Sequence, residues 1–233
     1  WWTPWASPSP WRISGDTELT YDGTDHSTDF SLTAPSGTVT VMGKEFAISD
    51  DATTDGWSLV EQEIKNAGTY TLTAKNGTST IVKEVTVNPA TISITSATVQ
   101  DKTYDGTTTA TVEIVSFDGL VNNDSLTSGT DYTATAAFDN ADAGDSKQAT
   151  VTVTLKNGNY TFGSNSDTYN ATAAIQKAAL TVTAPSKTIT VGDTIPDLST
   201  LQATVTGLVG EDTFSGVTLA YEGTPDSNTP GTW

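Results

Sequence analysis

The chain has no cysteine among its 233 residues and only one histidine. The absence of cysteine excludes a disulfide framework, a thiolate zinc site and a cysteine nucleophile. A serine-type nucleophile needs a histidine or lysine base beside it, together with an orienting acid. The single histidine, His26, lies in a loop of threonine, aspartate and serine, where we expect a solvated side chain. We therefore predict no enzyme activity and no catalytic residues.

Basic residues are also scarce. Ten lysines and arginines stand against 28 aspartates and glutamates, which gives a formal net charge of −18. Nucleic acids and anionic membrane surfaces are bound by basic faces, so neither is an expected partner. No apolar run approaches the ~20 residues that span a bilayer. The first residues lack the basic and apolar segments of a signal peptide, and we expect any export signal to lie outside this sequence.

Segments of alternating apolar and polar residues, rich in threonine, make up most of the chain. This period of two predicts half-buried strands, and threonine suits their solvent face. Turn signals such as Asn76-Gly77 separate the segments at the spacing of a sandwich. Glu61–Lys65 is predicted to form one helical turn at most. The predicted fold class is all-β, with tandem immunoglobulin-like or Greek-key β-sandwich domains in an extended rod.

A repeated turn organises the sequence. Tyr21-Asp22-Gly23 recurs as Tyr104-Asp105-Gly106, with an aspartate that caps its own backbone and a glycine for the positive φ of a tight turn. Two further motifs recur in the same way: Lys75-Asn76-Gly77 as Lys156-Asn157-Gly158, and Gly119–Asp124 as Gly207–Asp212. Spacings of roughly 80 residues indicate a whole domain copied in series and not a short-period solenoid.

The repeats divide the chain into four predicted segments. These are a Trp/Pro-rich leader at 1–12 and β-sandwich repeats at 13–89, 90–177 and 178–233. Short linkers lie near Asn88-Pro89-Ala90 and Gln176-Lys177-Ala178, and Pro89 stiffens the first of them by fixing φ. The third repeat is expected to be incomplete, because its pattern stops before the closing strands.

Four stretches of the middle repeat and three of the last carry a family resemblance. The middle repeat contains Lys102–Thr107, Gly119–Asp124 and Leu155–Tyr160, with Asp142-Ala143-Gly144 between them; the last contains Leu180–Ala184, Gly207–Asp212 and Pro230–Trp233. The middle repeat resembles the YDG modules of large bacterial surface proteins, and the last resembles the front part of an MBG ("mostly bacterial Greek key") module. The resemblance implies tandem β-sandwich spacers in secreted or wall-attached adhesins, without catalytic residues.

Two kinds of binding site are candidates. Carboxylates in a loop with asparagine and glycine are ligands for calcium, and the candidates are Asp139, Asp142 and Asp145. The alternative is that aspartate and asparagine are present because turns prefer them. No other cofactor is expected. Aromatic side chains in an exposed row could stack on sugars of host or matrix glycans, and the candidates are Trp57, Tyr132, Tyr221 and the tryptophans of the leader. Those tryptophans could equally pack against a neighbouring domain.

The function predicted from the sequence is a non-enzymatic spacer or stalk of a bacterial cell-surface adhesin or filament, outside the cell or attached to its wall. Its expected partners are other repeats of the same protein or neighbouring subunits. One alternative is a carbohydrate- or host-ligand-binding module that uses the exposed aromatic residues. A second is a fibre subunit, in which an extended segment of a neighbouring chain adds a strand to the incomplete last domain.

Overall fold

A computed structural model describes residues 11–35, 37–41, 44–48 and 56–231. Trp1, Trp2 and Trp5 of the predicted leader lie outside the described residues. Within them, the chain forms strands and two short 3₁₀ helices, Ser27–Asp29 and Leu198–Thr200, with no α-helix. No helix of this part is long and apolar enough to cross a membrane.

The strands are numbered in chain order: β1 Arg12–Ser14, β2 Glu18–Thr20, β3 Ser31–Thr33, β4 Gly37–Val41, β5 Lys44–Ile48, β6 Ser58–Leu59, β7 Gly68–Asn76, β8 Ser79–Asn88, β9 Ala90–Thr91, β10 Ser93–Val99, β11 Lys102–Thr103, β12 Thr109–Ala110, β13 Val112–Asp118, β14 Tyr132–Phe138, β15 Gly144–Leu155, β16 Tyr160–Thr161, β17 Thr168–Gln176, β18 Thr181–Thr183 and β19 Thr204–Thr206. The predicted all-β class is confirmed.

The chain divides into two compact units. Unit 1 comprises 1–97, 115–134 and 152–169, and unit 2 comprises 98–114, 135–151 and 170–233. The division into three repeats and the extended rod stay predictions.

Unit 1 contains a four-stranded sheet in the order β2-β8-β7-β6. Strands β7 and β8 form an antiparallel hairpin closed at Asn76 and Ser79, and β2 pairs with β8 in parallel. Alternate residues of the hairpin point into the core, so that Leu72 and Val85 are buried while their sequence neighbours are more exposed. The core of this unit continues through Ile64 and Ile92 to Tyr160.

Unit 2 holds most of a five-stranded sheet in the order β11-β17-β15-β14-β12. Here β11 pairs with β17 in parallel and β12 pairs with β14 antiparallel. Val151 of β15 and Ile175 of β17 are almost fully buried. A separate two-stranded antiparallel sheet joins β18 to β19. The parallel edge pairs β2–β8 and β11–β17 are the same construction in the two units.

The predicted helical turn at Glu61–Lys65 is wrong, because this stretch contains no helix. The Ile64 amide donates to the Asp25 carboxylate at 2.9 Å, and its carbonyl accepts from the His26 amide at 2.9 Å. Both backbone groups are therefore occupied by a loop distant in sequence, and neither is available for a helical hydrogen bond.

Candidate functional site

Both Tyr-Asp-Gly turns have the geometry that the sequence predicts. The Asp22 carboxylate accepts from the amide of Thr24 at 2.8 Å and from its hydroxyl at 2.7 Å. The Asp105 carboxylate accepts from the amide and hydroxyl of Thr107 at 2.9 and 2.8 Å. The glycines of the two turns have φ values of 78° and 75°. Each turn is thus an aspartate-capped loop with a left-handed glycine.

The second turn is braced further by Lys102. Its ammonium donates to the Asp105 carboxylate at 2.7 Å and to the carbonyls of Thr107 and Thr109 at 2.8 and 3.0 Å. The lysine and the hydrogen bonds from Thr107 lower the pKa of Asp105 to about 2. The carboxylate therefore stays ionised and the turn keeps its shape at any physiological pH.

The parallel edge pairs place each tyrosine beside a linker. Thr20 of β2 is paired with Asn88, the last residue of β8, and the Tyr21 amide donates to the Asn88 carbonyl at 2.8 Å. In the same way the Tyr104 amide donates to the carbonyl of Gln176, the last residue of β17, at 2.7 Å. Each tyrosine therefore leaves its sheet next to the predicted boundary with the following repeat.

The Gly-Leu-Val loops lie on the other side of these boundaries. Gly119 has a φ of 89°, and a Cβ at this position would be 2.7 Å from the Thr91 carbonyl oxygen. Gly207 has a φ of 95° and lies against the Ala179 carbonyl in the same way. Only glycine allows so close a backbone approach. Each loop is thus packed against the backbone of its own repeat that immediately follows the linker.

Tyrosine and loop meet at the first boundary in a buried cluster, which we call the first joint: Tyr21, Asp124 and Tyr160. The hydroxyls of Tyr21 and Tyr160 both donate to the Asp124 carboxylate, at 2.8 and 2.6 Å. The two rings pack edge to face, with centroids 5.4 Å apart. Tyr21 is 6% exposed and Tyr160 is 4% exposed. A carboxylate that accepts two enclosed hydroxyls is a strong, directional contact.

The tyrosine hydroxyls of the first joint are hard to ionise. Burial, together with the hydrogen bond to Asp124, raises the pKa of Tyr21. The same two causes raise the pKa of Tyr160 further. Both phenols therefore stay protonated and remain donors across the physiological range, as the contact with an ionised aspartate requires.

The second joint consists of Tyr104 and Asp212. The Tyr104 hydroxyl donates to the Asp212 carboxylate at 3.3 Å, and this hydrogen bond raises the pKa of Tyr104. A cleft of about 700 Å³ surrounds the pair, with Leu208 and Phe214 among its lining residues. The contact has the same residue types as the first joint, but it is exposed and longer.

The first turn is anchored by His26. Its ring nitrogens lie 2.7 Å from the Asp29 carboxylate and 3.1 Å from the Asp22 carboxylate, and its side chain is only 15% exposed. The hydrogen bond that the ring makes to the Asp29 carboxylate and the charge of Asp22 raise the pKa of His26. The histidine predicted to be solvated is therefore more enclosed than expected, and its role here is to hold the loop that carries Tyr21.

The three calcium candidates lie in the turn between β14 and β15 and at the start of β15, and all three are exposed. The Asp139 carboxylate is 3.2 Å from the Lys147 ammonium and accepts from the Asn140 amide. Asp142 donates its own amide to the Asn140 side chain. Among the described residues, no group of three or more acidic or histidine side chains is arranged to hold a metal ion. Calcium binding by Asp139, Asp142 and Asp145 stays a prediction, and equal melting temperatures in calcium and in chelator would discard it.

The aromatic candidates lie in three different settings. Tyr132 is 6% exposed and packs edge-on against Phe117, with centroids 5.1 Å apart, so its ring belongs to the interior and not to an exposed row. Trp57 is half-buried against the core of unit 1. Tyr221 is half-buried too, and its hydroxyl donates to the Pro196 carbonyl. Sugar binding by Trp57 and Tyr221 stays a prediction.

Two segments of the chain match known domain families. Residues 88–169 match the family model of the YDG domain, and residues 180–233 match that of the MBG domain (YGX type), which confirms the predicted resemblance. A search of curated proteins finds no match. Among solved structures, the crystal structure of domains 4 and 5 of the S-layer protein SbsC is similar at 15% identity, covering 73% of this chain and 100% of that one, with a TM-score of 0.24.

The two family matches indicate a module of a cell-surface or extracellular protein, and neither family is an enzymatic one. They also show where the joints fall. Asp124 lies inside the YDG match and Tyr21 before it, while Tyr104 lies inside the YDG match and Asp212 inside the MBG match. The second joint therefore links residues of the two matched segments, and the first links a residue before the YDG match to one inside it.

Proposed function

We propose that this chain is a non-enzymatic spacer, a stalk segment of a bacterial cell-surface adhesin or surface filament that is secreted or attached to the cell wall. Its β-sandwich repeats follow one another in an extended rod and hold other parts of the protein away from the surface. The observation that carries the proposal is the recurrence of one contact, a tyrosine hydroxyl on an aspartate, at both predicted boundaries.

A spacer has to limit rotation at its linkers. Domains joined by a short linker move relative to one another by default, unless an interface holds them. At the first joint, Asn122 also donates to the Gly23 carbonyl at 3.1 Å, beside the contact of Tyr21 with Asp124. Several directional contacts around one linker fix the angle between the two repeats. Pro89 stiffens the linker but does not set that angle alone.

The surface of the chain suits the same role. A net charge of −18 keeps like molecules apart in solution, and the threonine side chains of the strands remain hydrated. The surrounding protein would gain length from such a segment without gaining a site of reaction.

Small-angle X-ray scattering of the full chain tests this proposal. A spacer gives the scattering of a rod, with a maximum dimension that does not change with protein concentration. A compact profile, or one that fits a broad ensemble of shapes, would overturn the proposal.

Scattering and a glycan array together separate the alternatives. A fibre subunit that assembles by strand addition would show a molecular mass that grows with concentration. A carbohydrate-binding module would be detected on a glycan array, where Trp57→Ala and Tyr221→Ala should abolish the signal. Binding to no glycan would remove the carbohydrate-binding alternative.

A further inference from the structure

We propose that the Tyr-Asp-Gly turn and the Gly-Leu-Val-x-x-Asp loop are a docking pair, by which a repeat that carries the turn recognises the next repeat through the aspartate of its loop. This inference rests on the proposed function, because only repeats in series need to select their neighbours. The kind of partner that fits the turn is thus a domain with this loop packed against the backbone just after its linker.

The polar part of the recognition is the match of a donor with an acceptor. An ionised aspartate can only accept hydrogen bonds, and a tyrosine hydroxyl can donate one. The turn of the first repeat meets Asp124 and the turn of the second meets Asp212, each through the hydroxyl alone. A turn without the hydroxyl leaves the carboxylate facing an apolar ring, which selects against that neighbour.

The steric part is the glycine of the turn. A Cβ added at Gly23 would lie 2.5 Å from the Cβ of Asn122, and one added at Gly106 would lie 3.6 Å from Val209 Cγ1. The loop of the following repeat therefore packs against bare backbone at Gly23, whereas a Cβ at Gly106 would make only an ordinary contact. The tyrosine and the glycine of the turn therefore both lie on the side that faces the loop of the following repeat.

The two pairs differ at the fourth residue of the loop. Asn122 has a φ of 50° and donates to the Gly23 carbonyl, whereas Gly210 stands in its place with a φ of 57° and no side chain to donate. A Cβ at Gly210 would meet nothing within 4 Å. The fourth residue therefore sets how tightly a pair docks, and the first joint carries the tighter version.

The third repeat carries the loop of the docking pair but not its turn. The stretch that corresponds to the turn, Lys187–Asp193, contains no tyrosine. It has no phenol to offer to an aspartate, and a neighbour of this repeat has to be recognised by other chemistry.

Pulsed dipolar spectroscopy on the full chain tests the pair. Because the chain has no cysteine, spin labels at the exposed positions Ser146→Cys and Ser215→Cys are the only ones and report the second joint. The loss of the hydroxyl in Tyr104→Phe and of the acceptor in Asp212→Ala should each broaden the distance distribution. Gly210→Asn, which copies the first joint, should narrow it. Tyr70→Phe is the control, because its hydroxyl donates to the Asn66 carbonyl within the first repeat.

An unchanged distribution in Tyr104→Phe and Asp212→Ala would overturn the docking pair. If the distribution in Gly210→Asn is as broad as in the unsubstituted chain, the fourth residue of the loop does not set how tightly the pair docks. A rod-like scattering profile together with unchanged distances would leave the spacer intact and overturn only the recognition. A compact profile together with the expected broadening would overturn the spacer and leave the recognition intact.

Discussion

Removal of the shared acceptor of the first joint should cost far more stability than removal of its counterpart in the second. Asp124→Ala leaves the hydroxyls of Tyr21 and Tyr160 without their acceptor in a place where both rings are buried. A buried donor that loses its partner costs about 1–3 kcal/mol, so two such donors predict a loss of about 2–6 kcal/mol. Asp212→Ala removes an exposed contact of 3.3 Å and should cost no more than about 0.5 kcal/mol.

Urea unfolding followed by far-UV circular dichroism and tryptophan fluorescence measures both variants. Trp57, which packs against the core of unit 1, provides a signal from the side of the first joint. The change in midpoint converts to free energy when the slope with denaturant is unchanged. Equal losses for Asp124→Ala and Asp212→Ala, or a loss below about 0.5 kcal/mol for Asp124→Ala, would refute the account of the first joint as a buried cluster.

Three further predictions follow from the same geometry. His26 has a raised folded pKa, so its stabilisation is complete below its ordinary pKa of 6.5 and is lost as the pH rises through the folded pKa; unfolding at pH 6 and pH 8 measures it, and His26→Gln should abolish the difference. Because the pKa values of Tyr21 and Tyr160 are raised, their contribution to stability should be lost only above pH 10. An ultraviolet titration of the folded protein should show phenols that ionise above pH 10, and ionisation of all tyrosines near pH 10 would contradict this. Gly119→Ala should lower the melting temperature more than Gly129→Ala, because both have a positive φ but only Gly119 faces a backbone oxygen; equal shifts would show that the close approach does not matter.

Strands and turns could be predicted from local pattern. Apolar and polar residues alternate along Ser79–Asn88, which is β8, and the Asn76-Gly77 signal before it marks the hairpin turn of β7 and β8. These features depend on residues that are close in sequence, so a single segment carries the information.

The joints could not be predicted from local pattern. Tyr21 meets Asp124 because β2 pairs in parallel with β8, and neither the partner of an edge strand nor its register is set by alternation. The failed helical turn at Glu61–Lys65 has the same origin, since its Ile64 amide and carbonyl bond to a distant loop.

One signal in the sequence did point to the joints. The Tyr-Asp-Gly turn occurs in the first and second repeats, while the Gly-Leu-Val-x-x-Asp loop occurs in the second and third. Two motifs that are offset by one repeat are the pattern expected of surfaces that meet across a boundary. This offset needs no structure to be seen.

A double-mutant cycle of Tyr21→Phe and Asp124→Ala tests most directly whether the tyrosine of one repeat is held by the aspartate of the next. If the hydroxyl and the carboxylate interact as described, the two losses of unfolding free energy will fail to add by about 1 kcal/mol or more. Losses that add to within about 0.3 kcal/mol would show that the two residues act independently, and the account of the joints would be contradicted.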